Sequence, residues 1–225
     1  MTGLNLTSLF LSIKLASISL FILLIIGLPL ANYLAYSAKR YKVIIEALVA
    51  APLVLPPTVL GFYLLIVLNP ESIVGRLWMH ITGDTLVFNF LGLVIGSVLY
   101  SLPFVVQPLQ NAFAQIPQHQ LEAASTLGAS SLDRFFSIKL PQIKHGFITA
   151  CILGFTHTLG EFGVVLMIGG NIPGRTQLIS IDIYNKVELF QYGQANKLAL
   201  ILLVFSFIAL VFLYGYRHAK YKHSL

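Results

Sequence analysis

The chain has 225 residues, of which 57% are hydrophobic and only 10% are charged. An ordinary soluble domain carries roughly 25% charged residues, and a chain of this length has too little interior to bury so much apolar surface. These values effectively exclude a water-soluble globular protein. The formal net charge of +6 comes from basic residues scattered along the sequence, so there is no basic stripe of the kind that binds nucleic acid.

Five stretches are long and apolar enough to cross a bilayer as helices, which takes about 20 residues. Charged residues are absent from 15–38, 47–70, 85–118 and 198–216, and 146–169 contains only Glu161. Continuous apolar runs without a two-residue alternation favour helices over a barrel. The sequence therefore predicts an all-α polytopic membrane protein that forms one transmembrane domain over residues 1–225. The predicted spans lie at about 9–37, 45–68, 86–109, 146–169 and 198–216.

The positions of lysine and arginine predict the orientation, because loops rich in these residues stay in the cytoplasm. If the N-terminus lies outside, the cytoplasmic side holds Lys39, Arg40, Lys42, Arg134, Lys139, Lys144, Arg217, Lys220 and Lys222. The outer side then holds only Lys14, Arg76, Arg175, Lys186 and Lys197. We therefore expect an outer N-terminus and a cytoplasmic C-terminus.

The longest cytoplasmic loop, about 110–143, has the pattern of two short helices around a glycine. Pro117 can begin a helix over 118–127, and Gly128 tolerates the positive φ of a chain reversal. A serine that follows Gly128 can cap the second helix. The sequence predicts a compact helix, turn and helix on the cytoplasmic side, either packed only on itself or offered to a partner.

This loop resembles the signature of ABC importer permeases, E-A-A-x3-G-x9-I-x-L-P. Glu122–Ala124 is followed after three residues by Gly128 and after nine more by Ile138–Pro141, so every defining position matches. In that family the loop is a coupling helix that docks in a cleft of an ATP-binding subunit. The resemblance implies a type I ABC importer permease fold. The coupling residues that it implies are Glu122, Ala123, Ala124, Gly128, Ile138, Leu140 and Pro141.

The same resemblance implies the other components of the transporter. We expect a homodimer of permease subunits in the membrane lipid, two ATP-binding cassette subunits and an extracytoplasmic substrate-binding protein. ATP and Mg²⁺ would be held by the ATP-binding subunit, so this chain is expected to have no cofactor and no enzymatic activity of its own. Transport would proceed by alternating access.

Within the spans, Glu161, His157, Pro56 and Pro57 are candidates for the pathway or gate. Glu161 is the one acid in a span, and His157 lies one helical turn earlier. Ionisable groups in a membrane usually face protein or a water-filled cavity, so a gate, a proton relay or a metal pair competes with a hydrogen-bonded contact between helices, which we favour. Prolines kink a helix, and the second span therefore bends during transport or carries a static kink. We expect no metal site.

A narrower resemblance concerns the substrate. Gly160–Gly163 and the run Gly169–Gln177 are similar to molybdate permeases, and the Ile172–Gln177 part resembles that branch more than the sulfate and thiosulfate permeases. This implies molybdate import across the cytoplasmic membrane of a prokaryote, with sulfate, thiosulfate or tungstate as alternatives. It also implies an outer docking face for the substrate-binding protein. Its candidate residues are Arg175, Thr176 and Gln177.

The run Gly169–Thr176 also approximates the phosphate loop G-x4-G-K-[ST]. Arg175 replaces the lysine of that motif, and Pro173 removes one of the backbone N–H groups that a phosphate cradle uses. We therefore expect no nucleotide site here.

The outer loop 170–197 contains an amphipathic segment, either on the membrane surface or packed on the span ends. A secondary transporter is the alternative functional class, but it would be expected to show internal repeats and several ionisable groups within its spans.

Overall fold

The computed structural model of this protein describes residues 6–221, with the side chains of residues 6–215. All regular elements in this part of the chain are helices, as the predicted all-α class requires. In chain order they are α1 Thr7–Tyr36, α2 Lys42–Val54, α3 Pro57–Leu68, α4 Ile73–Thr82, α5 Phe90–Ala114, α6 Gln118–Thr126, α7 Ser131–Arg134, α8 Leu140–Gln142, α9 Lys144–Leu159, α10 Gly163–Gly169, α11 Ile179–Glu188 and α12 Tyr192–Tyr221. A π-helical turn, Phe135–Lys139, joins α7 to α8.

Three helices are each long and apolar enough to cross a membrane alone, namely α1, α5 and the Tyr192–Gly215 part of α12. The predicted second and fourth spans are each broken into two helices. The axes of α2 and α3 differ by 114°, and those of α9 and α10 differ by 55°. Over residues 6–221, five crossings result if each bent pair forms one span, and the division into five spans stays a prediction.

The two breaks have different local causes. In the second span the kink predicted from the prolines is a complete break, where Leu55 and Pro56 are extended with ψ of 133° and 136°. Proline disfavours the helical conformation in the residue before it, and Pro57 then occupies the first turn of α3, where a missing N–H is tolerated. In the fourth span Gly160 ends α9, and Phe162 has a φ of −130° before α10 begins.

The helix α5 is the centre of the bundle. It packs against α1, α2, α9 and α10. In its most apolar 18-residue stretch 50% is buried, whereas in the corresponding stretch of α12 only 11% is buried. One buried cluster joins the C-terminal halves of α1 and α5, with Leu23, Leu34, Val105, Leu109 and Phe113 among its members. Because α12 leaves most of its apolar surface uncovered by this chain, it faces lipid or another subunit.

The amphipathic segment of the outer loop is α11, and it is packed against α1. Ile179 and Ile181 are fully buried, the backbone N–H of Ile179 donates to Ser12 Oγ at 2.8 Å, and Ser8 Oγ donates to the Asp182 carboxylate at 2.8 Å. Of the two alternatives, the connector packed on the span ends is therefore the one observed.

The helix α4 was not predicted from the sequence. The Ser72 hydroxyl caps its start by accepting from Gly75 N, and Gly83 ends it with a φ of +74°. Ile73, Leu77 and Ile81 form an exposed apolar strip along it. Ten residues of helix are only about 15 Å long, so α4 is too short to cross a bilayer.

Candidate functional site

The loop 110–143, called the coupling loop below, contains the helix, glycine turn and second helix. After α6, Gly128 reverses the chain with a φ of +84°, a conformation that glycine adopts at little cost. Ser130 Oγ accepts from Asp133 N, and the Asp133 carboxylate accepts from Ser130 N, each at 3.1 Å. This capping box fixes the start of α7, and hydrogen bonds from the Ser130 hydroxyl and backbone lower the pKa of Asp133.

The coupling loop is fastened to the C-terminal ends of α1 and α5. Lys139 Nζ donates to Asn32 Oδ1 at 2.9 Å and lies 3.8 Å from the centre of the Tyr36 ring. The ring centres of Phe135 and Phe113 are 6.2 Å apart. Burial lowers the pKa of Lys139, because the charged form loses solvation there. These contacts attach the loop to both helices, so a displacement of the loop is carried into the bundle.

The signature residues of the coupling loop divide into two groups. Glu122, Ala123 and Gly128 are exposed, and the Glu122 carboxylate has no hydrogen bond or ion pair within the described part of the chain. In contrast, Ile138 and Leu140 pack against the buried cluster between α1 and α5. The first group is free to contact another protein, while Ile138 and Leu140 hold the loop in place. Ala124 is half-buried and Pro141 is exposed.

Exposed apolar residues that the sequence analysis did not single out as contacts lie in the same loop as Glu122. Leu127, Leu132 and Phe136 are 88%, 70% and 61% exposed. Large apolar side chains at this exposure on the water-facing side of a protein usually mark an interaction surface. Their position in a predicted cytoplasmic loop was the available signal. These three residues and Glu122, Ala123 and Gly128, all exposed in the coupling loop, are called the loop surface below.

The second candidate region is the break between α9 and α10, where Glu161 and His157 make separate hydrogen bonds to α5. Ser97 Oγ donates to Glu161 Oε2 at 2.8 Å, and the Ser101 hydroxyl lies 2.9 Å from His157 Nδ1. The backbone carbonyl of Glu161 accepts from the Ser180 hydroxyl at 2.5 Å. The favoured contact between helices is therefore present, and no cluster of potential metal ligands occurs among the described residues.

A cavity of about 590 Å³ lies at this break. Its wall brings Pro57 together with His157 and Glu161, and Tyr100 and Thr156 complete its polar edge. Glu161 is only 4% exposed, and its Oε1 has no hydrogen-bond partner within the described residues. Pro56, the remaining gate candidate, precedes α3 as its cap and is not part of this wall.

Two glycines let α3 and α10 touch closely across this cavity. A Cβ added at Gly163 would lie 2.6 Å from Pro57 Cβ, and one added at Gly61 would lie 2.9 Å from Met167 Cβ. Real Cβ atoms do not approach each other to this distance, so both positions require glycine. The first turns of the two helices are therefore in direct backbone-level contact, and each of these helices begins at one of the two breaks.

The third candidate region is the turn Gly169–Gln177. The carbonyl of Ile172 accepts from the backbone N–H groups of Arg175, Thr176 and Gln177 at 3.1, 2.9 and 3.0 Å. These donors are consumed within the turn, so they cannot cradle a phosphate. The expectation of no nucleotide site in this run rests on Pro173 and Arg175 and stays a prediction.

The three docking candidates in this turn have different environments. Arg175 is exposed and Gln177 is half-buried, with its amide donating to Asn171 Oδ1 at 3.1 Å. Thr176 is fully buried, where its hydroxyl donates to the Gly169 carbonyl at 2.6 Å and accepts from Ile172 N at 3.0 Å. The Thr176 side chain closes the turn and has no exposed surface, and the docking role of this turn stays a prediction.

Comparison with known proteins identifies the family. Residues 7–218 match the model described as "Binding-protein-dependent transport system inner membrane component". The chain belongs to this family. It is 52% identical over 216 residues to the molybdenum transport system permease protein ModB of Azotobacter vinelandii, which covers 96% of each chain. It is 34% identical to a probable sulfate transport system permease protein cysT of Marchantia polymorpha, over 84% of this chain and 65% of that one.

Solved structures of the family's fold agree. An inward-facing MetNI methionine ABC transporter aligns with a TM-score of 0.73 at 15% identity, covering 96% of this chain and 95% of that chain. A bacterial alginate ABC transporter, in complex with its alginate pentasaccharide-bound periplasmic protein, aligns with a TM-score of 0.76 at 16% identity, over 95% and 78%. The predicted ABC importer permease fold is confirmed, and this chain is a multi-pass inner membrane permease. The secondary transporter alternative is wrong.

Proposed function

We propose that this chain is the permease subunit of an ATP-driven molybdate importer. The observation that carries the substrate is the 52% identity over 96% of the chain to a molybdenum permease, compared with 34% to a sulfate permease. We further propose that two copies form a homodimer and work with two ATP-binding cassette subunits and an extracytoplasmic substrate-binding protein. The two permease copies would enclose the pathway between them, since one bundle of this size leaves its cavities open at the side.

The ATP-binding subunit would dock on the loop surface of residues around Glu122 and Leu127. Support for this comes from the exposure of these side chains and from the unpaired carboxylate of Glu122, which can meet a basic residue of the partner. ATP and Mg²⁺ would be bound by that partner, and hydrolysis would occur there. This chain contributes the surface that receives the movement.

The same assignment supports an orientation with the N-terminus outside. The coupling loop is fastened to the C-terminal ends of α1 and α5 through Lys139 and Phe135, so those ends lie on the side of the ATP-binding subunit, the cytoplasm. The start of α1, bonded to α11 through Ser8, then lies outside. Of the basic residues that the topology prediction used, the side chains of Arg217 and Lys220, and the whole of Lys222, lie outside the described part.

The mechanism that we propose is alternating access. ATP-driven closure of the ATP-binding subunits would move the two coupling loops, and the loops would move α1 and α5 through their attachments. The breaks at Leu55–Pro56 and at Gly160–Phe162 are the places where the backbone can change direction without straining a continuous helix. The pathway would open outward to the docked binding protein and return after hydrolysis.

The test is reconstitution of this chain in proteoliposomes with its ATP-binding and substrate-binding proteins. We expect molybdate, and tungstate as its near isostere, to stimulate ATP hydrolysis and to accumulate inside the vesicles. A hydrolysis-deficient ATP-binding subunit is the control for leakage. Stimulation by sulfate alone would overturn the substrate assignment, and uptake without the ATP-binding subunit would overturn the coupling.

A further inference from the structure

Three carboxamide side chains form a row along one face of α5. Gln107, Asn111 and Gln115 are spaced four residues apart, and residues at this spacing lie above one another on a helix. All three line a cavity of about 480 Å³ between α5, α9 and the end of α2. Across the cavity from this carboxamide row stand His145 and Thr149 of α9.

The carboxamide row has no partners within the part of the chain that the structure describes. None of its three side chains makes a hydrogen bond there, whereas Gln110 on another face of the same helix donates to Glu46 at 2.7 Å. Asn111 and Gln115 are exposed at the end of α5 that enters the coupling loop, and Gln107 is half-buried within the predicted third span. A carboxamide carries two donors and an acceptor, and leaving these unsatisfied within a membrane is costly. The row therefore indicates a face that meets water and polar solutes from the end of α5 into the span.

The charge of this cavity suits an anion that must pass and not remain. Its wall contains no aspartate, glutamate, lysine or arginine. Amide N–H groups can donate to the oxygens of a tetrahedral oxyanion, while the absence of a fixed positive charge keeps the binding weak. A pathway needs binding that is favourable enough for entry and weak enough for release. Glu161 lies in the other cavity, at the break of the fourth span.

We propose that Gln107, Asn111 and Gln115 form a transient binding site for the transported oxyanion in the half of the pathway that leads to the cytoplasm. The proposal rests on the proposed function for the class of substrate. Successive carboxamides of the row are about 6 Å apart along the helix, because four residues rise 1.5 Å each. A small oxyanion can therefore contact the next carboxamide before it leaves the previous one. Water in the rest of the cavity completes its hydration.

The experiment places charges in this row without changing its shape. Gln107→Glu and Asn111→Asp each put a negative charge against the passing dianion, and we expect vesicle uptake to fall by about tenfold or more. The substrate-independent ATP hydrolysis of the assembled transporter should not change. Asn69→Asp is the matched control, because Asn69 is exposed outside the cavity and, as an aspartate, still accepts the hydrogen bond from the Glu71 backbone N–H. Its uptake should stay within about twofold of wild type.

A second variant changes the sign of the effect. Asn111→Lys supplies the positive charge that the row lacks, so equilibrium binding of molybdate to the purified permease should become at least about tenfold tighter while uptake slows. Molybdenum retained after equilibrium dialysis, measured with and without excess chloride, reports this binding. Wild-type uptake by the acidic variants, or no gain in binding by Asn111→Lys, would overturn the proposal.

Two further results separate this proposal from its alternatives. Import of another oxyanion by wild type, without import of molybdate, would overturn the proposed substrate. The binding site would still be supported if the acidic variants reduced uptake of that other oxyanion. The alternative occupant of the row is the second permease copy. In a Cys151→Ala background, which removes the single cysteine, Asn111→Cys should react with a small hydrophilic thiol reagent in the assembled transporter. Complete protection of this cysteine would show that the second copy covers the row and would overturn the site.

Discussion

The coupling loop and the break of the fourth span each contain one notable glutamate, and the two residues have opposite environments. Glu122 is exposed and has no partner within the described chain. Glu161 is 4% exposed and accepts a hydrogen bond from Ser97 of α5. In a chain where only 10% of the residues are charged, this difference separates a side chain available to another subunit from one that joins helices of the same subunit.

The neighbours of each glutamate follow the same division. Around Glu122 the loop surface exposes Leu127 and Phe136, which have nothing to cover them in this chain. Around Glu161 the serines of α5 hold His157 as well, and the Phe104 ring stacks on it with centres 3.8 Å apart. Substitutions in the loop should therefore affect assembly and leave the fold intact, and substitutions at the break should affect the fold first.

The largest expected effect comes from reversing the charge of the exposed glutamate. Glu122→Lys should reduce ATP-coupled uptake by about a hundredfold or more, because an ion pair with the ATP-binding subunit becomes a repulsion. Its thermal unfolding in detergent should match wild type, since surface substitutions without internal partners change stability by only about 0.5 kcal/mol. Vesicle uptake and co-purification with the ATP-binding subunit measure the loss of coupling, and a melting curve measures the stability.

Gln120→Lys is the control for this variant, because it adds the same charge to an exposed position of the same helix, two residues from Glu122 and therefore on its other side. Normal assembly of Gln120→Lys beside lost assembly of Glu122→Lys supports the docking surface. If Glu122→Lys assembled and transported as wild type, the exposed glutamate would have no role in coupling. The functional difference drawn between Glu122 and Glu161 would then be wrong.

An intermediate effect is expected at the buried glutamate. Glu161→Leu leaves the Ser97 hydroxyl without its acceptor and should destabilise the protein by about 1–3 kcal/mol. Glu161→Gln keeps an oxygen that can accept from Ser97, so its melting temperature should lie close to wild type. The pair is compared in the same detergent by thermal unfolding, with uptake measured alongside. Equal stability of the two variants would contradict a role for this carboxyl in joining the helices.

The smallest effect is expected in the outer turn, where one exposed and one buried residue are adjacent. Thr176→Val removes the hydroxyl that donates to the Gly169 carbonyl and accepts from Ile172 N. It should lower the free energy of unfolding by about 1–2 kcal/mol. Arg175→Ala should leave stability unchanged and weaken binding of the substrate-binding protein, which a pull-down at increasing salt would detect. A stability loss for Arg175→Ala, or none for Thr176→Val, would contradict this division.

The coupling loop could be predicted from the sequence because its determinants are local. Gly128 needs no distant contact to adopt a positive φ. The Ser130 hydroxyl accepts from the backbone N–H of Asp133, only three residues away. The apolar spans are similarly readable, because lipid requires helices of a certain length. What the sequence could not show is which loop residues face outward, since that depends on how Ile138 and Leu140 pack into the cluster between α1 and α5.

The half of the molecule that contains α10, α11 and the start of α1 was less predictable, because its determinants are distant in sequence. Gly163 contacts Pro57, and Asp182 receives a hydrogen bond from Ser8 at a separation of 174 residues. Thr176 was a docking candidate only through the resemblance of this run to molybdate permeases, and its burial depends on the turn folding back over Gly169. These pairings arise from tertiary packing, which neither composition nor periodicity contains.

The contact between α3 and α10 has a mechanical consequence. Each broken span, taken alone, adds one independent joint to the chain. With Gly163 against Pro57 and Gly61 against Met167, the segments beyond the two joints share a seam that permits sliding or common rotation more readily than separation. Because the segments beyond the two breaks are in contact, a change of direction at one break requires an adjustment at the other.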